Sequence, residues 1–335
     1  MKKITAVLSA LIMAVLPFGF AACTDDGLTK VRLSEVTHSI FYAPLYIAIN
    51  KGYFEEENIK IELSNGGGAD KVMTSVISGS ADIGLMGPEA TIYCHVEGQR
   101  DYPIIFGQLT QRDGSFLVGR KEEPNFDWSS LEGKHILAGR AGGVPAMTLQ
   151  YVLNTNGVST DNPDLFDTKV AFDAMVGTFD TDHSIDYTTM FEPTASEFVR
   201  EGKGYIVASV GEASGNVPYT AFSAQKSYLT KNADTAKRFL RAVLKGYKFM
   251  TENTPEVVAK ALAPSFVGTS ETSIADSVKS YLGIEAWAPT PVMSRESFDK
   301  LQDIMENAGT LSSRADYSLA VDNKIAKELV GELGI

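Results

Sequence analysis

The chain has 335 residues, of which 44% are hydrophobic and 21% are charged, and these proportions are typical of a folded globular protein. Its length exceeds that of one ordinary hydrophobic core, so two lobes or domains are expected. With 42 acidic and 30 basic side chains, the net charge is −12. Such a surface repels nucleic acid and anionic lipid headgroups, which argues against both as partners.

The first 23 residues have the pattern of an export signal that ends in a lipid-attachment site. Two lysines precede a mostly apolar run, which closes with Phe20-Ala21-Ala22-Cys23. This pattern is typical of a secretory signal, and a cysteine directly after two alanines resembles the lipobox of bacterial lipoproteins. We expect a signal peptide over residues 1–22 and a tether over residues 23–30, with lipidated Cys23 anchoring the chain to the outside of the bacterial cell membrane. The alternative is an ordinary signal peptide with an incidental Cys23, which also places the mature chain outside the cytoplasm.

Residues 30–119 alternate between strand-like and helix-like segments. Pro44 opens the first helix and Gly52 ends it, as expected for proline at a helix start and glycine after a helix end. Strands are predicted over residues 30–36, 59–63, 81–86, 104–109 and 116–119, and helices over residues 45–50, 69–78 and 88–96. This alternation favours a mostly parallel sheet with helices on both faces.

A second unit of the same type follows, and the chain then turns to helices alone. Its strands are predicted over residues 134–137, 170–172, 186–190 and 205–210, and its helices over residues 144–154 and around 197–200. After a strand at residues 219–224, apolar residues at helical spacing predict a long helix over residues 234–250. The sequence therefore predicts two α/β units followed by a helical tail.

The loop and helix that open the first unit carry the most specific pattern in the chain. Residues 37–54 read THSIFYAPLYIAINKGYF, a small-residue loop that runs into a helix ending in Lys-Gly-Tyr-Phe. This segment resembles the opening of ABC-transporter solute-binding proteins for alkanesulfonates, taurine, nitrate or thiamine pyrimidine precursors. Further matches follow in the family's order at residues 78–84, 131–134 and 191–193, so the resemblance covers about residues 30–330.

The resemblance implies an α/β fold of the type II periplasmic-binding-protein class, in which two crossing strands join two lobes and the ligand lies between them. It places the first lobe at residues 31–116 and 219–335 and the second lobe at residues 117–218, with crossings near residues 114–117 and 219–222. It also implies a monomer that delivers a small molecule to a membrane permease with its ATPase, with no cofactor and no enzymatic activity. A surface lipoprotein that senses a ligand and signals to a membrane receptor is the alternative.

Candidate ligand-binding residues lie mainly in the loops that follow the predicted strands. In an open α/β sheet, ligands bind at the carboxyl ends of the strands, where the first N–H groups of the following helices are unpaired. Aromatic side chains can stack on a ligand there, carboxylates can accept its hydrogen bonds, arginines can hold an anion, and glycines allow close approach to the backbone. The candidates are His38, Phe41, Tyr42, Gly67, Gly87, Glu89, Arg112, Asp113, Arg140, Gly142, Gly143, Val144, Glu192 and Tyr219.

Two ligand classes fit these candidates. The first is a flat, neutral or cationic heteroaromatic such as a thiamine pyrimidine precursor, which would stack on the aromatic candidates and donate hydrogen bonds to the carboxylates. The second is a small anion such as a sulfonate or taurine, held by the two arginines and the helix start at Gly142-Gly143. We expect the first class.

Sequence signs of enzymatic or metal chemistry are weak. The four histidines are far apart, and the chain has no Gly-x-Ser-x-Gly motif. Asp180, Asp182, His183 and Asp186 lack the spacing and the glycine of an EF-hand loop, so a solvated loop is expected there.

One enzyme shares the opening motif, the eukaryotic pyrimidine synthase of thiamine biosynthesis. The histidine that precedes its helix falls on Tyr42 of this chain, and its cysteine-rich segment has no counterpart here. The only cysteine besides Cys23 is Cys94, which is expected to be a small buried apolar residue. Both departures argue against that enzyme's chemistry.

Overall fold

The computed structural model describes residues 27–334, so the predicted signal peptide, Cys23 and half of the tether lie outside the described residues. The strands are β1 Thr29–Glu35, β2 Ile59–Asn65, β3 Ile83–Met86, β4 Pro103–Thr110, β5 Ser115–Gly119, β6 Ile136–Leu137, β7 Phe166–Asp167, β8 Tyr187–Phe191, β9 Tyr205–Ser209 and β10 Thr220–Gln225. The first eight helices are α1 Ala43–Asn50, α2 Tyr53–Glu56, α3 Ala69–Ile77, α4 Glu89–Val96, α5 Val144–Thr155, α6 Met175–Thr181, α7 Thr194–Arg200 and α8 Val210–Ser214. The later helices are α9 Lys226–Lys231, α10 Ala233–Glu252, α11 Pro255–Leu262, α12 Glu271–Gly283, α13 Arg295–Asn307, α14 Tyr317–Ala320 and α15 Lys324–Leu333.

The strands form two five-stranded sheets of the same design. The order is β2-β1-β3-β10-β4 in the first sheet and β7-β6-β8-β5-β9 in the second. In the first sheet only β10 runs antiparallel to its neighbours, and in the second sheet only β5 does. The predicted pair of α/β units with mostly parallel strands is therefore confirmed. Over residues 27–334, none of the helices has both the length and the apolar character needed to cross a membrane.

Two short segments connect the sheets and lie side by side. Residues 111–114 lead from β4 to β5, and residues 215–219 lead from α8 to β10. The Val217 N–H donates to the Gln111 carbonyl oxygen at 2.8 Å, and the Gln111 N–H donates to the carbonyl oxygen of Ala286, which follows α12, at 2.8 Å. Most residues of the predicted crossings, near 114–117 and 219–222, pair with neighbouring strands inside β5 and β10.

The helical tail packs largely on the first sheet and its helices. Helix α10 crosses α1 at such close range that a Cβ atom at Gly246 would lie 2.0 Å from the Pro44 carbonyl oxygen. Arg241 and Lys245 of the same helix bind the carboxylate of Glu57 at 3.0 and 2.8 Å. These contacts hold α10 against α1 and the end of α2, and they complete the core around α1.

One predicted strand, over residues 170–172, is wrong. The chain turns after β7, where the Asp167 side chain accepts a hydrogen bond from the Lys169 N–H at 2.8 Å. Phe172–Ala174 then forms a single turn of 3-10 helix that leads into α6. A short apolar run fits a strand as well as a turn of helix, and here the Phe172 ring belongs to the cleft described next.

Candidate ligand-binding cleft

A cleft with an empty volume of about 670 Å³ lies between the two sheets. From the first sheet and its helices it is lined by Val36, Thr37, Ser39, Phe41, Tyr42, Gly68, Ala69, Gly87, Glu89, Tyr219 and Thr220. From the second it is lined by Gly139, Arg140, Gly143, Val144, Pro145, Phe172 and Phe191. Eight of the fourteen candidates are among these residues: Phe41, Tyr42, Gly87, Glu89, Arg140, Gly143, Val144 and Tyr219.

The cleft lies at the ends of parallel strands. Val36 follows β1, Gly87 follows β3, Gly139 lies just beyond β6, and Phe191 is the last residue of β8. Several of these strands lead directly into helices, so the backbone N–H groups that begin α4 and α5 are close to the cleft. This is the position at which open α/β sheets bind ligands.

Aromatic rings from both sheets form one continuous wall. The Phe41 ring lies 5.8 Å from Phe191 and 5.7 Å from Tyr219, and Phe172 lies 5.7 Å from Phe191, measured between ring centroids. Tyr42 continues the wall at 6.0 Å from Phe41. Such spacings are typical of packed aromatic pairs, and the wall offers flat apolar surfaces to a ligand.

Glu89 is the one acidic residue on the lining, and it lies in the first turn of α4. Its exposed fraction is 2%, and among the described residues its Oε2 atom has no hydrogen-bond partner. Burial raises the pKa of this carboxyl to about 7, against the opposing effects of Arg140 and of the N–H groups that begin α4 and α5. A Cβ atom at Gly87 would lie 2.0 Å from Oε2, so a side chain there would displace the Glu89 carboxylate from its present position.

Arg140 brings positive charge to the other side of the cleft. Its Nε atom lies 3.6 Å from a carboxylate oxygen of Asp70. Asp70 belongs to α3, whereas Arg140 lies in the loop between β6 and α5, so this ion pair joins the two sides of the cleft. The Arg140 charge also acts on Glu89. Gly143 follows three residues later and is the N-cap of α5, which has no side-chain cap.

Asp113 lies behind the lining rather than on it. It is completely buried, and its Oδ1 atom accepts a hydrogen bond from the Ser115 N–H at 2.7 Å. The side chains of Asp113 and Tyr219 interact with each other, and apart from this interaction the Asp113 Oδ2 atom and the Tyr219 hydroxyl have no hydrogen-bond partner within residues 27–334. Burial raises the pKa of Asp113 to about 7. A ligand would therefore reach Tyr219, with Asp113 one layer deeper.

His38 and Glu192 are bound by other parts of the protein and do not line the cleft. The His38 ring contacts Glu35 at 3.0 Å and the Ser265 carbonyl oxygen at 2.7 Å. The hydrogen bond to Glu35 raises the pKa of His38. The Glu192 carboxylate accepts hydrogen bonds from the Ser196 hydroxyl at 2.7 Å and from its N–H at 3.1 Å, which tie it to α7.

Arg112, Gly67 and Gly142 also lie outside the lining. Arg112 donates hydrogen bonds to Asn216 at 2.9 Å and to Glu285 at 2.7 Å, so it joins the two crossing segments to the residues after α12. Gly67 and Gly142 occupy turns with positive φ angles of 70° and 73° next to lining residues. Arg112 therefore holds the crossing segments together, and the two glycines form turns beside the cleft lining.

Ten lining residues were not singled out in the sequence. Five of them lie in the loops that were expected to face a ligand: Thr37, Ser39, Gly68, Pro145 and Phe191. The others had no such signal: Val36, Ala69, Gly139, Phe172 and Thr220. Treating the first two residues after every predicted strand as lining would have found Gly139 but not Val36, because the predicted strand over residues 30–36 already includes Val36, whereas β1 ends at Glu35.

The acidic loop near residue 180 pairs with its own surroundings. Asp180 binds Lys203 at 3.0 Å, the Asp182 side chain accepts from the Ser184 N–H at 2.9 Å, and Asp186 accepts from the His135 N–H at 2.9 Å. Over residues 27–334, no group of three or more His, Cys, Asp or Glu side chains could hold a metal ion. Cys94 is buried and is a free thiol.

Known proteins resemble this chain both in sequence and in fold. It is 40% identical to YtlA of Bacillus subtilis (strain 168), a protein named for an inferred binding role, over 318 residues and 95% of each chain. It is 29% identical to the 4-amino-5-hydroxymethyl-2-methylpyrimidine phosphate synthase of Aspergillus parasiticus, over 124 residues that make up 36% of this chain and 35% of the enzyme. The likeness to the enzyme is therefore partial, whereas the likeness to YtlA spans the chain.

The fold agrees with that of solved binding proteins. The alkanesulfonate-binding protein SsuA of Xanthomonas axonopodis pv. citri, solved with MOPS bound, superposes with a TM-score of 0.72 at 16% identity over 88% of this chain and 98% of SsuA. The predicted two-sheet periplasmic-binding-protein fold is thus confirmed. Residues 40–257 match the family described as NMT1/THI5 like. The chain therefore belongs to the NMT1/THI5-like family.

Proposed function

We propose that this chain is an extracytoplasmic solute-binding protein that captures a small molecule between its lobes and delivers it to an ABC permease with its ATPase. Support comes from the cleft between the two sheets and from the full-length likeness to a binding protein. In this proposal the protein is a monomer tethered by lipidated Cys23, with lobes at residues 31–116 plus 219–335 and at residues 117–218. A ligand-sensing lipoprotein would use the same cleft with a different membrane partner.

The proposed ligand is a flat heteroaromatic with N–H donors, such as a thiamine pyrimidine precursor. The observation that carries this choice is the buried Oε2 atom of Glu89, which has no hydrogen-bond partner within residues 27–334 and shares the cleft lining with the aromatic wall. A buried acceptor without a partner is costly, so a ligand that donates to it recovers that free energy. An aminopyrimidine has such donors and two π-faces for stacking. The acceptor role falls to Glu89 because Asp113 and Glu192 lie off the lining.

Ligand binding acts by stabilising the closed arrangement of the lobes. In this arrangement Ser39 donates to the Glu192 carbonyl oxygen at 3.4 Å, and Tyr93 donates to the Gly142 carbonyl oxygen at 3.1 Å. These contacts join the first sheet's elements to those of the second and are lost when the lobes separate. A ligand that touches both walls binds the closed form better and therefore shifts the population toward it. The permease then recognises the closed form.

Binding of aminomethyl- and hydroxymethyl-pyrimidine precursors is expected to raise the melting temperature by several degrees. Ligand at about 100 times Kd adds about 2.7 kcal/mol to the free energy of unfolding. It is also expected to change the fluorescence of Trp287, whose Nε1 atom donates to the carbonyl oxygen of the cleft residue Phe41 at 2.9 Å. Trp128→Phe removes the only other tryptophan and serves as the background.

Glu89→Gln in that background tests the proposed contact. Glutamine keeps an acceptor oxygen but lacks the charge, and a hydrogen bond to a charged group contributes roughly 1–1.5 kcal/mol more than a neutral one, which corresponds to a Kd about five- to tenfold weaker. Unchanged affinity in this variant would contradict the role of Glu89. If protein stripped of carried-over ligand shows neither a thermal shift nor a fluorescence change, the pyrimidine class is wrong.

A small anion such as a sulfonate or taurine is the second candidate. It is favoured by Arg140 and by the uncapped N-terminus of α5 at Gly143, both on the cleft lining. The Asp70 carboxylate and Glu89 already offset the Arg140 charge, so we rank this class second. Wild-type binding of ethanesulfonate that is lost in Arg140→Gln would reverse the ranking.

A further inference from the structure

Helix α5 begins at the cleft, and its N-cap residue makes no side-chain hydrogen bond to the first N–H groups of the helix. Its N-cap is Gly143, which has no side chain to accept from the first N–H groups, and Pro145 occupies one of the first helical positions. The first N–H groups of a helix are unpaired within the helix and carry partial positive charge. With twelve residues, α5 has a full helix dipole directed at the cleft, and such an N-terminus favours an anion.

A carboxylate from the other lobe already lies at this helix end. The N–H of Val144, the first residue of α5, is among the groups that stabilise the ionised form of Glu89. A Cβ atom at Gly87 would lie 2.0 Å from Glu89 Oε2 and 2.9 Å from Val144 Cγ2. The Glu89 carboxylate and the Val144 side chain therefore both lie next to Gly87. Glu89 is also within the electrostatic reach of Arg140. The carboxylate thus lies where an anionic ligand would be held.

We infer that Glu89 is a specificity-determining residue: from α4 it occupies the anion position at the N-terminus of α5, so that the closed cleft excludes sulfonates and other small anions. This inference rests on the proposed binding of a solute between the lobes. An anion entering the closed cleft would have to displace Glu89 from the helix end or share that end with a second negative charge. A neutral or cationic donor meets no such repulsion and supplies the partner that Oε2 lacks.

Removal of the Glu89 charge is therefore expected to create an anion site. In Glu89→Gln, Arg140 and the N-terminus of α5 remain, and the side chain keeps nearly the same size. The test is the affinity for ethanesulfonate and nitrate, measured by titration calorimetry on the purified wild-type and variant proteins. A charge at a partly buried helix terminus is worth up to about 2 kcal/mol, so we expect a tighter Kd in the variant, by up to about thirtyfold.

Two further variants separate this role from a general loosening of the cleft. Glu89→Asp keeps the negative charge and is expected to bind ethanesulfonate as weakly as the wild type. Glu89→Gln combined with Arg140→Gln removes both charges and is expected to lose the gained affinity. The inference is overturned if Glu89→Gln melts cooperatively but binds the two anions no better than the wild type, or if the wild type binds them equally well.

The test of anion exclusion by Glu89 can be told apart from the test of the proposed ligand. If the wild type fails to bind aminopyrimidines while Glu89→Gln gains anion binding, the proposed ligand is wrong and the exclusion by Glu89 stands. If the wild type binds aminopyrimidines while Glu89→Gln gains nothing, the proposed ligand stands and the exclusion is wrong. If no ligand of either class binds any of the proteins, both are wrong.

Discussion

Gly246→Ala is expected to lower the melting temperature by roughly 3–8 °C, because the new methyl group has no space between α10 and α1. The added Cβ atom would lie 2.0 Å from the Pro44 carbonyl oxygen and 3.1 Å from the Ala48 nitrogen. Both are backbone atoms, so neither can rotate away and the two helices must separate. Overpacking of this kind costs about 3 kcal/mol, which outweighs the roughly 1 kcal/mol by which alanine favours a helix over glycine.

Gly331→Ala is the matched control for this substitution. Gly331 also lies inside a helix, α15, but a Cβ atom there would meet nothing within 4 Å. The control is therefore expected to stabilise the protein by about 0.5–1 kcal/mol. Thermal melts followed by circular dichroism compare the two variants. A Gly246→Ala protein that melts with the wild type would contradict the close contact between α10 and α1.

Glu89→Gln is expected to stabilise the ligand-free protein by about 3 kcal/mol above pH 7 and to change its stability little near pH 5. The ordinary pKa of this carboxyl is 4.5, and burial raises it to about 7 in the folded protein. The folded protein therefore binds a proton at Glu89 between these values while the unfolded chain has released it. The wild-type free energy of unfolding consequently falls as pH rises through this range, and glutamine has no such proton to lose.

Urea unfolding of ligand-free wild type and Glu89→Gln at pH 5 and pH 8 measures the effect. Asp113 also has a pKa raised to about 7 by burial, but it is present in both proteins and cancels in the difference. Glu97→Gln changes an exposed carboxylate at the other end of α4 and is expected to match the wild type at both pH values. Equal stability of wild type and Glu89→Gln at pH 8 would show that the buried carboxylate has a partner.

Taken together, the expected effects of Glu89→Gln on stability and on binding have opposite signs. The buried charge destabilises the empty protein, and the same charge accepts hydrogen bonds from the proposed ligand and repels anions. Destabilising groups of this kind are common at functional sites, where residues needed for activity are kept although they lower stability. Glu89 is thus better explained by ligand binding than by folding.

Local patterns in the sequence were sufficient to predict the general architecture. Alternating strands and helices, with proline at helix starts and glycine after helix ends, correctly indicated two α/β units and a helical tail. Glu89 and Val144 were predicted from the same pattern, and each begins a helix and lies on the cleft lining. Rules that depend only on neighbouring residues succeed where the site is built from strand ends.

The sequence could not predict contacts made across long stretches of chain. His38 was expected at a ligand, but it binds the carbonyl oxygen of Ser265, which is 227 residues away. Arg112 binds Glu285, which is 173 residues away, and so helps to hold the crossing segments in place. Phe172 was missed because a short apolar run looks the same whether it is buried in a strand or lines a cleft. Such partners depend on tertiary packing, which residue type and spacing do not encode.

The position of β10 in the middle of the first sheet has a consequence for the order in which the chain folds. β10 separates β3 from β4, yet it is made more than a hundred residues after them. Until it arrives, the first sheet has two open strand edges at its centre, whereas residues 115–209 contain every strand of the second sheet. Contacts between distant residues form slowly. The second sheet can therefore form as soon as its strands are made, and the first sheet, whose strand β3 leads into α4 and Glu89, is completed last.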